Sequence, residues 1–217
     1  IRMQDLTLDD GVYIRSMGSR GTFGGLSRAS YDAVKVLDAA GMDYIIIETV
    51  GVGQSEVDIV KLADIVVLVL VPGMGDDIQA IKAGIIEIAD IFVANKSDMD
   101  GTDRLVSEIQ MYLDLNSDKD KPRSPIVKTV ALTGEGIEEL KNIILNIQRQ
   151  LQDGGKLADK RKARINQELR ELIREIQMKK ITSIFEAQIE DFSEKIFKRE
   201  MDPYTAAITI LKKLYKE

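Results

Sequence analysis

Four consecutive polar residues, Asn95-Lys96-Ser97-Asp98, have the types and the spacing needed to read a purine base. The carboxylate of Asp98 can accept two hydrogen bonds from guanine, one from the ring N–H and one from the exocyclic amino group, and adenine offers neither pattern. Asn95 can hold the base edge or the neighbouring loop, while the stem of Lys96 can lie over the purine face. The same residues would also suit a polar turn in which Asp98 caps the next helix.

A second segment, Thr129 to Gly136, follows the last apolar run of the first 150 residues and precedes a helical pattern. Its small residues would let backbone amides approach a carbonyl oxygen of a base. An ordinary glycine-rich turn between a strand and a helix would have the same composition. Placed after Asn95–Asp98, the segment is the expected second half of a guanine pocket.

A third segment combines one acid with glycines, because Glu48 ends an apolar run and Gly51, Gly53 and Gln54 follow it. A carboxylate at the end of a strand can hold Mg²⁺, usually through water in nucleotide hydrolases. The glycines permit positive φ and could let a backbone N–H approach a γ-phosphate. Gln54 could orient a water molecule or cap the following helix. The alternative is a glycine-rich turn that contains one acid.

Two further loops have weaker chemical signals. Pro72–Asp77, with Lys82 beyond it, suits either a loop that senses nucleotide or a helix start capped by Asp76 or Asp77 with Lys82 as a solvated charge. Ser19–Gly25 contains glycines, hydroxyls and Arg20, which suit an anion site or a plain connector.

The elements that would position these loops alternate along the chain. Short apolar runs predict strands that are buried on both faces, at Val12–Arg15, Tyr44–Glu48, Ile65–Val71, Ile91–Asn95 and Ile126–Val130. Apolar residues at three- and four-residue spacing predict helices between them, at Gly25–Ala40, Glu56–Leu62, Asp77–Ala89, Asp103–Leu115 and Ile137–Gln150. This alternation predicts an α/β fold with a mostly parallel sheet flanked by helices.

Composition removes several classes of chemistry. The 217 residues include no Cys and no His, which excludes disulfides, thiolate metal sites, His-ligated metals and His-based acid–base catalysis. The net charge of −6 argues against broad nucleic-acid binding. No apolar run reaches the ~18–20 residues of a membrane span. No signal-peptide pattern follows Ile1, which we interpret as a truncated start that leaves an upstream targeting segment open. We expect a cytoplasmic protein, or one of the mitochondrial matrix in a eukaryote.

The composition changes near Asp153-Gly154-Gly155, which predicts a division into residues 1–152 and a helical arm over residues 153–217. Asp202 and Pro203 predict the cap and first turn of a last short helix. We expect the arm to be too thin to form a core of its own, so that its apolar stripe packs on the sheet domain or on a second copy in a dimer. The stripe contains Ile165, Leu169, Leu172, Ile176, Ile184, Phe185, Ile189, Phe192 and Ile196.

Taken together, these segments resemble the MeaB/ArgK family of P-loop GTPases. The resemblance is carried by Gly21–Leu26, Glu48–Glu56, Pro72–Gln79 with Lys82-Ala83-Gly84, and Asn95–Asp98, and it extends to about Gln150. It implies a GTPase that acts as a chaperone for an adenosylcobalamin-dependent mutase of the methylmalonyl-CoA type. Such a protein gates cofactor loading and protects the mutase, binds GTP or GDP with Mg²⁺, and forms a homodimer through its C-terminal helices.

The resemblance also implies roles for individual residues. Glu48 would belong to the Mg²⁺ and second switch region, which contains Gln54, and Asp76 and Lys82 to a third switch loop that couples nucleotide to the mutase. Asp98 would read guanine, and Val130, Ala131 and Leu132 would line the base.

One part of the family pattern does not occur in this sequence. The phosphate-cradling run G-x-x-x-x-G-K-[ST] is absent, and we expect it upstream of the segment that begins at Ile1. Two alternatives stay open. One is a GTPase of the related nickel-maturation class, although such proteins usually carry metal-binding His or Cys. The other is a non-catalytic binding or dimerisation module.

Overall fold

The computed structural model describes residues 3, 6, 8–17, 28–49, 54–73, 86–116 and 122–214. Three parallel strands form one sheet in the order β1 (Val67–Leu70), β2 (Ile91–Asn95) and β3 (Ile126–Thr129). Five α-helices are described, α1 (Arg28–Ala39), α2 (Thr102–Leu115), α3 (Ile137–Asp153), α4 (Lys156–Phe197) and α5 (Pro203–Leu214). Short 3₁₀ helices cover Gln54–Lys61 and Ile86–Ile88. The predicted α/β class with a parallel, helix-flanked sheet is confirmed.

The sheet has one apolar cluster on each face because side chains alternate along its strands. Phe92 and Ala94 face α2, where Leu105 and Ile109 complete a buried cluster with Leu70. The opposite face carries Ile91, Val93 and Val127, covered by α3 side chains. The covering residues of α3 are Leu140, Ile143, Ile144 and Ile147. Full burial of a side chain such as that of Phe92 contributes about 1.5–3 kcal/mol. The sheet is thus held between two helices, and loops leave the ends of its strands.

Three predicted strands are confirmed, and two are wrong. Ile91–Asn95 is reproduced to the residue, Ile126–Val130 ends one residue earlier than predicted, and Ile65–Val71 is shortened to Val67–Leu70. Val12–Arg15 and Tyr44–Glu48 have no regular secondary structure, and Tyr13 and Ile46 are exposed. A strand exists only by pairing with a neighbour, and among the described residues neither run is paired.

The predicted helices that follow β2 and β3 agree with the structure more fully than the other predicted helices. The helices α2 and α3 confirm Asp103–Leu115 and Ile137–Gln150, and α1 confirms the described part of Gly25–Ala40. The predicted helix Glu56–Leu62 is a 3₁₀ helix instead. Of Asp77–Ala89, residues 77–85 lie outside the described residues, and the rest contains only the short 3₁₀ helix Ile86–Ile88.

The chain separates into two compact units, Ile1–Lys160 and Arg161–Glu217. Within the second unit, the later part of α4 packs against α5 around Phe185, Phe192, Ala206 and Ile210. The expectation that the arm cannot form a core of its own is therefore wrong, because α5 closes back on α4 and supplies the second apolar layer. As predicted, Asp202 caps α5 by accepting a hydrogen bond of 2.9 Å from the Thr205 N–H, and Pro203 begins the helix.

The earlier part of α4 presents a different surface. Ile165, Leu169 and Ile176 are 64%, 53% and 64% exposed, and Leu172 is half-buried between them. We call these four residues the α4 stripe. Their spacing of four, three and four residues places them on one side of the helix. In the part of the chain that is described, no helix is long and apolar enough to cross a membrane.

Candidate functional site

The candidate site lies where β2 and β3 end. These strands are parallel neighbours, and Asn95 is paired in register with Thr129. The segments that follow them, residues 96–101 and 130–136, therefore leave the same edge of the sheet side by side. In open parallel sheets, ligands bind at this carboxyl edge.

Asn95 joins the two loops through its side chain. Its Oδ1 accepts a hydrogen bond from Thr129 Oγ1 at 3.1 Å and another from the Ala131 N–H at 3.2 Å. The Thr129 side chain is almost completely buried, with 1% of the residue exposed. One polar side chain at the end of β2 thus fixes the start of the loop after β3.

Thr129 also holds the backbone of the loop that follows β2, residues 96–101. The Ser97 N–H donates to the Thr129 carbonyl at 3.0 Å, which turns the chain back over the end of β3. Lys96 reaches this position with a φ of 56°, a left-handed conformation that non-glycine residues seldom adopt and that concentrates at functional sites. The side chains of Lys96 and Asp98 are exposed at this edge, where a ligand can reach them.

The loop that follows β3, residues 130–136, is closed by hydrogen bonds within its own backbone. The Val130 N–H donates to the Glu135 carbonyl at 3.0 Å, and the N–H groups of Thr133 and Gly134 donate to the Val130 carbonyl. Of the three predicted base-lining residues, Val130 is buried, while Ala131 and Leu132 are exposed at the loop tip, Leu132 by 98%. Val130 therefore anchors the loop, and the two residues after it present backbone and side chain outward.

Gly136 is required by the close approach of this loop to β3. It has a φ of 73°, and a Cβ there would lie 2.1 Å from the Lys128 carbonyl oxygen. Since that oxygen belongs to the strand backbone, it cannot move aside without disturbing the sheet. Gly134, two residues earlier, has a φ of 83° but open space around the position of a Cβ.

We expect Gly136→Ala to destabilise the protein by about 2–4 kcal/mol, because it adds a backbone collision to the left-handed strain. Gly134→Ala is the matched control, and we expect it to cost only about 1 kcal/mol, the conformational part alone. Urea unfolding of both variants measures the difference. Equal losses of unfolding free energy in the two variants would mean that the contact with the Lys128 carbonyl does not affect stability.

An ion pair lies beside the loop that follows β2. Lys128 Nζ is 2.7 Å from Asp103 Oδ1, so the exposed side of β3 is tied to the first turn of α2. This hydrogen bond, with the charge of Lys128, lowers the pKa of Asp103 below its ordinary value. A carboxyl pKa that is lowered by folding adds stability at pH values above the pKa of the unfolded state. That stability is lost as the pH falls through the pKa of the folded state. The Asp103 carboxyl is therefore ionised at neutral pH, and its contribution to stability is present there.

The structure brings together Asn95, Lys96, Asp98 and the loop Val130–Leu132, which the sequence predicts to form one site. Other predicted site residues stay predictions. Glu48 is exposed in a run without regular structure, and Gln54 begins a 3₁₀ helix, its side chain not described. Four more lie outside the described residues: Gly51, Gly53, Asp76 and Lys82.

The predicted magnesium site receives no support from the described residues. Among them, no group of three or more Asp or Glu side chains is placed to hold a metal ion. Glu48 is one exposed carboxylate, and one carboxylate is too little to define a site for a cation that prefers six oxygen ligands. A role of Glu48 at Mg²⁺ therefore stays a prediction from the family resemblance.

Sequence reasoning missed two contributors to the site, Thr129 and Gly136. Both lie inside the segment Thr129–Gly136, but the sequence pattern predicts no separate role for either. A signal for Thr129 exists in the sequence, since it is a hydroxyl residue at a strand position that the alternation of β3 places inward with Val127. The need for Gly136 depends on a distance to β3 that no spacing pattern records.

Known proteins are similar to this chain over most of its length. Residues 1–186 match the family model described as methylmalonyl-CoA mutase-associated GTPase MeaB. A putative GTPase of Pyrococcus horikoshii is 49% identical over 217 residues, which cover 99% of this chain and 68% of the relative. The mitochondrial methylmalonic aciduria type A homolog of Mus musculus is 36% identical, with 97% of this chain and 52% of the relative covered.

A solved structure has the same fold. The crystal structure of a protein named LAO/AO transport system kinase superposes with a TM-score of 0.66 at 25% identity, covering 86% of this chain and 62% of that one. The present chain thus spans about two thirds of its archaeal relative and of the solved structure, and about half of the mouse relative.

Proposed function

Because the chain belongs to the MeaB family of methylmalonyl-CoA mutase-associated GTPases, we propose that it binds guanine nucleotides through the loops after β2 and β3. We further propose that the protein that carries it hydrolyses GTP. The observation that supports this most strongly is the pair of hydrogen bonds on Asn95 Oδ1, from Thr129 Oγ1 and the Ala131 N–H. They hold the Asn95–Asp98 segment and the Val130–Leu132 segment together.

Selection of guanine follows from the chemistry of the exposed groups. A carboxylate such as that of Asp98 only accepts hydrogen bonds, so it suits a base edge that presents two donors, as the N1–H and exocyclic amino group of guanine do. Adenine would place a ring acceptor against the same carboxylate and would supply neither of the two donors. At the exposed tip, the backbone N–H of Leu132 suits the guanine carbonyl oxygen.

The phosphate side of the site is assigned from family resemblance. In this proposal Glu48 helps to hold Mg²⁺, the backbone at Gly51 and Gly53 approaches the γ-phosphate, and Gln54 orients the attacking water. Asp76 and Lys82 belong to the loop that passes the nucleotide state to a partner. Mg²⁺ would supply charge neutralisation at the phosphates.

The partner in this proposal is an adenosylcobalamin-dependent mutase of the methylmalonyl-CoA type, for which the protein gates cofactor loading and limits inactivation. The family description supports this choice, and the mouse relative carries the name of a methylmalonic aciduria protein. We also propose that the protein is a homodimer whose helical arms meet along the α4 stripe. The exposure of Ile165, Leu169 and Ile176 supports that surface.

The test uses the full-length protein that carries this chain. We expect steady-state hydrolysis of GTP with a kcat/KM at least about 100-fold above that for ATP, since a site built around donors of guanine leaves its carboxylate unpaired with adenine. Hydrolysis without preference between the two would end the proposal.

A second measurement addresses the mutase separately. The full-length protein and a methylmalonyl-CoA mutase are mixed with and without a non-hydrolysable GTP analogue and analysed by size-exclusion chromatography with light scattering. We expect a complex whose amount depends on the nucleotide. GTP-selective hydrolysis with no complex under either condition would leave the GTPase assignment standing and remove the mutase.

A further inference from the structure

We propose that α2 couples the loop that follows β2 to the segment between β1 and β2, and that the Tyr112 hydroxyl completes this link at Glu87. The inference rests on the proposed function and deepens it, because it assigns a regulatory effect to the base half of the site. Asp76 and Lys82 belong to the coupled segment, and in the proposed function they pass the nucleotide state to a partner. Both flanks of that segment lie against α2 or the residue that precedes it.

The first flank is Pro72, two residues after the end of β1. The strands β1 and β2 are parallel neighbours with Leu70 paired to Ala94, so the chain leaves both at the same edge of the sheet. Pro72 is buried, and its Cβ lies 3.8 Å from the position that a Cβ would take on Gly101, the last residue of the loop that follows β2. The loop therefore passes directly beside the start of the segment.

The second flank is the short 3₁₀ helix Ile86–Ile88. Ile86 is 2% exposed and belongs to the buried cluster that contains Leu105 of α2. Tyr112, on the same helix, donates a long hydrogen bond of 3.4 Å to Glu87 Oε1. Burial raises the pKa of Tyr112 above its ordinary value, and the charge of Glu87 and this hydrogen bond raise it further, so the hydroxyl keeps its proton and remains a donor at neutral pH.

The helix α2 is bonded to the loop that precedes it. Thr102 Oγ1 donates to the Met99 carbonyl at 2.9 Å, and the Leu105 N–H donates to the Gly101 carbonyl at 3.0 Å. Tyr112 lies ten residues beyond Thr102, about 15 Å along the helix axis. Rigid secondary structure of this kind carries coupling between separated sites. A ligand that fixes the loop should therefore also steady the two flanks, although it touches neither.

The experiment measures hydrogen–deuterium exchange by mass spectrometry in the full-length protein, in peptides that cover residues 86–89. The ligands are GMP, which carries the base without the β- and γ-phosphates, and AMP, which carries the same single phosphate on the other base. Both are used at the concentration at which GMP fully displaces labelled GDP. We expect GMP to slow exchange by about two- to thirtyfold, the range of coupling through a contiguous network, and AMP to leave it unchanged.

Tyr112→Phe keeps the ring and removes the hydroxyl that reaches Glu87. We expect this variant to bind GMP while its exchange slows by less than about twofold. Tyr204→Phe is the matched control, since it makes the same change at a tyrosine of α5 that is 76% exposed, and it should keep the full response to GMP.

Three outcomes would overturn the inference: no response to GMP in the unaltered protein, an equal response to AMP, or a full response that survives in Tyr112→Phe. Loss of the response in both tyrosine variants would also overturn it, because the effect would then not depend on the contact with Glu87. Failure of the proposed function would look different, since GMP and AMP would then displace labelled GDP equally well.

Discussion

We expect Asp98→Asn to weaken GDP binding by about 100- to 10,000-fold and to create affinity for xanthosine diphosphate (XDP). The carboxylate accepts two hydrogen bonds from guanine, and bonds to a charged group contribute about 1.5–3 kcal/mol each. An Asn side chain offers one acceptor and one donor at the same place. Xanthine presents one N–H and one carbonyl oxygen along this edge, so the pairing is restored with the other base.

The measurement is competition between GDP and XDP for the full-length protein, followed by fluorescence of a labelled nucleotide. Asp100→Asn is the control, since Asp100 is an exposed acid in the same loop and its replacement removes the same charge. We expect that variant to bind GDP within about twofold of the unaltered protein. Loss of GDP binding in Asp98→Asn without any gain for XDP would argue that Asp98 supports the loop and does not touch the base.

The second large effect is expected in the arm. Leu169 lies in the middle of the α4 stripe and is 53% exposed in the isolated chain. If the stripe is the surface between two copies, Leu169→Asp removes an apolar contact worth about 1.5–3 kcal/mol. In a two-fold symmetric interface the loss occurs twice. The dissociation constant of the dimer should therefore rise by at least about 100-fold.

Sedimentation equilibrium of the full-length protein measures this change. Gln167→Asp is the control, because it adds the same charge to the same helix on the side away from the stripe. That variant should remain dimeric, and both variants should keep their helix content in far-UV circular dichroism. A dimer that persists in Leu169→Asp would move the interface elsewhere, whereas a monomer in both variants would point to general damage to the helix.

The part of the fold around β2 could be predicted from sequence because its signals are local. Ile91–Asn95 is an uninterrupted apolar run that ends in four polar residues of a specific chemistry, so strand, loop and candidate base reader follow from one stretch of chain. The helices α2 and α3 have clear three- and four-residue periodicity, and glycines mark their starts. Local patterns of this kind need no knowledge of neighbours.

The remainder depends on pairing between distant segments. Tyr44–Glu48 has the composition of a buried strand, yet composition cannot supply the neighbour that a strand requires, and Ile46 is 93% exposed. The small core of the arm was missed for the same reason, since α5 had to be placed on α4 before Phe192 and Ile210 could be seen as buried together. The hydrogen bond from Thr129 to Asn95 joins residues 34 positions apart.

That separation has a consequence for how the protein reaches its native state. Asn95 and Thr129 become neighbours only when β3 docks beside β2, after the crossover through α2 has closed. Parallel pairing of this kind is non-local and forms late compared with a helix or a hairpin. During refolding, capture of a fluorescent guanine nucleotide should therefore appear together with closure of the β2–β3 pair and lag behind the gain of helix, which makes the ligand a reporter of one step of chain assembly.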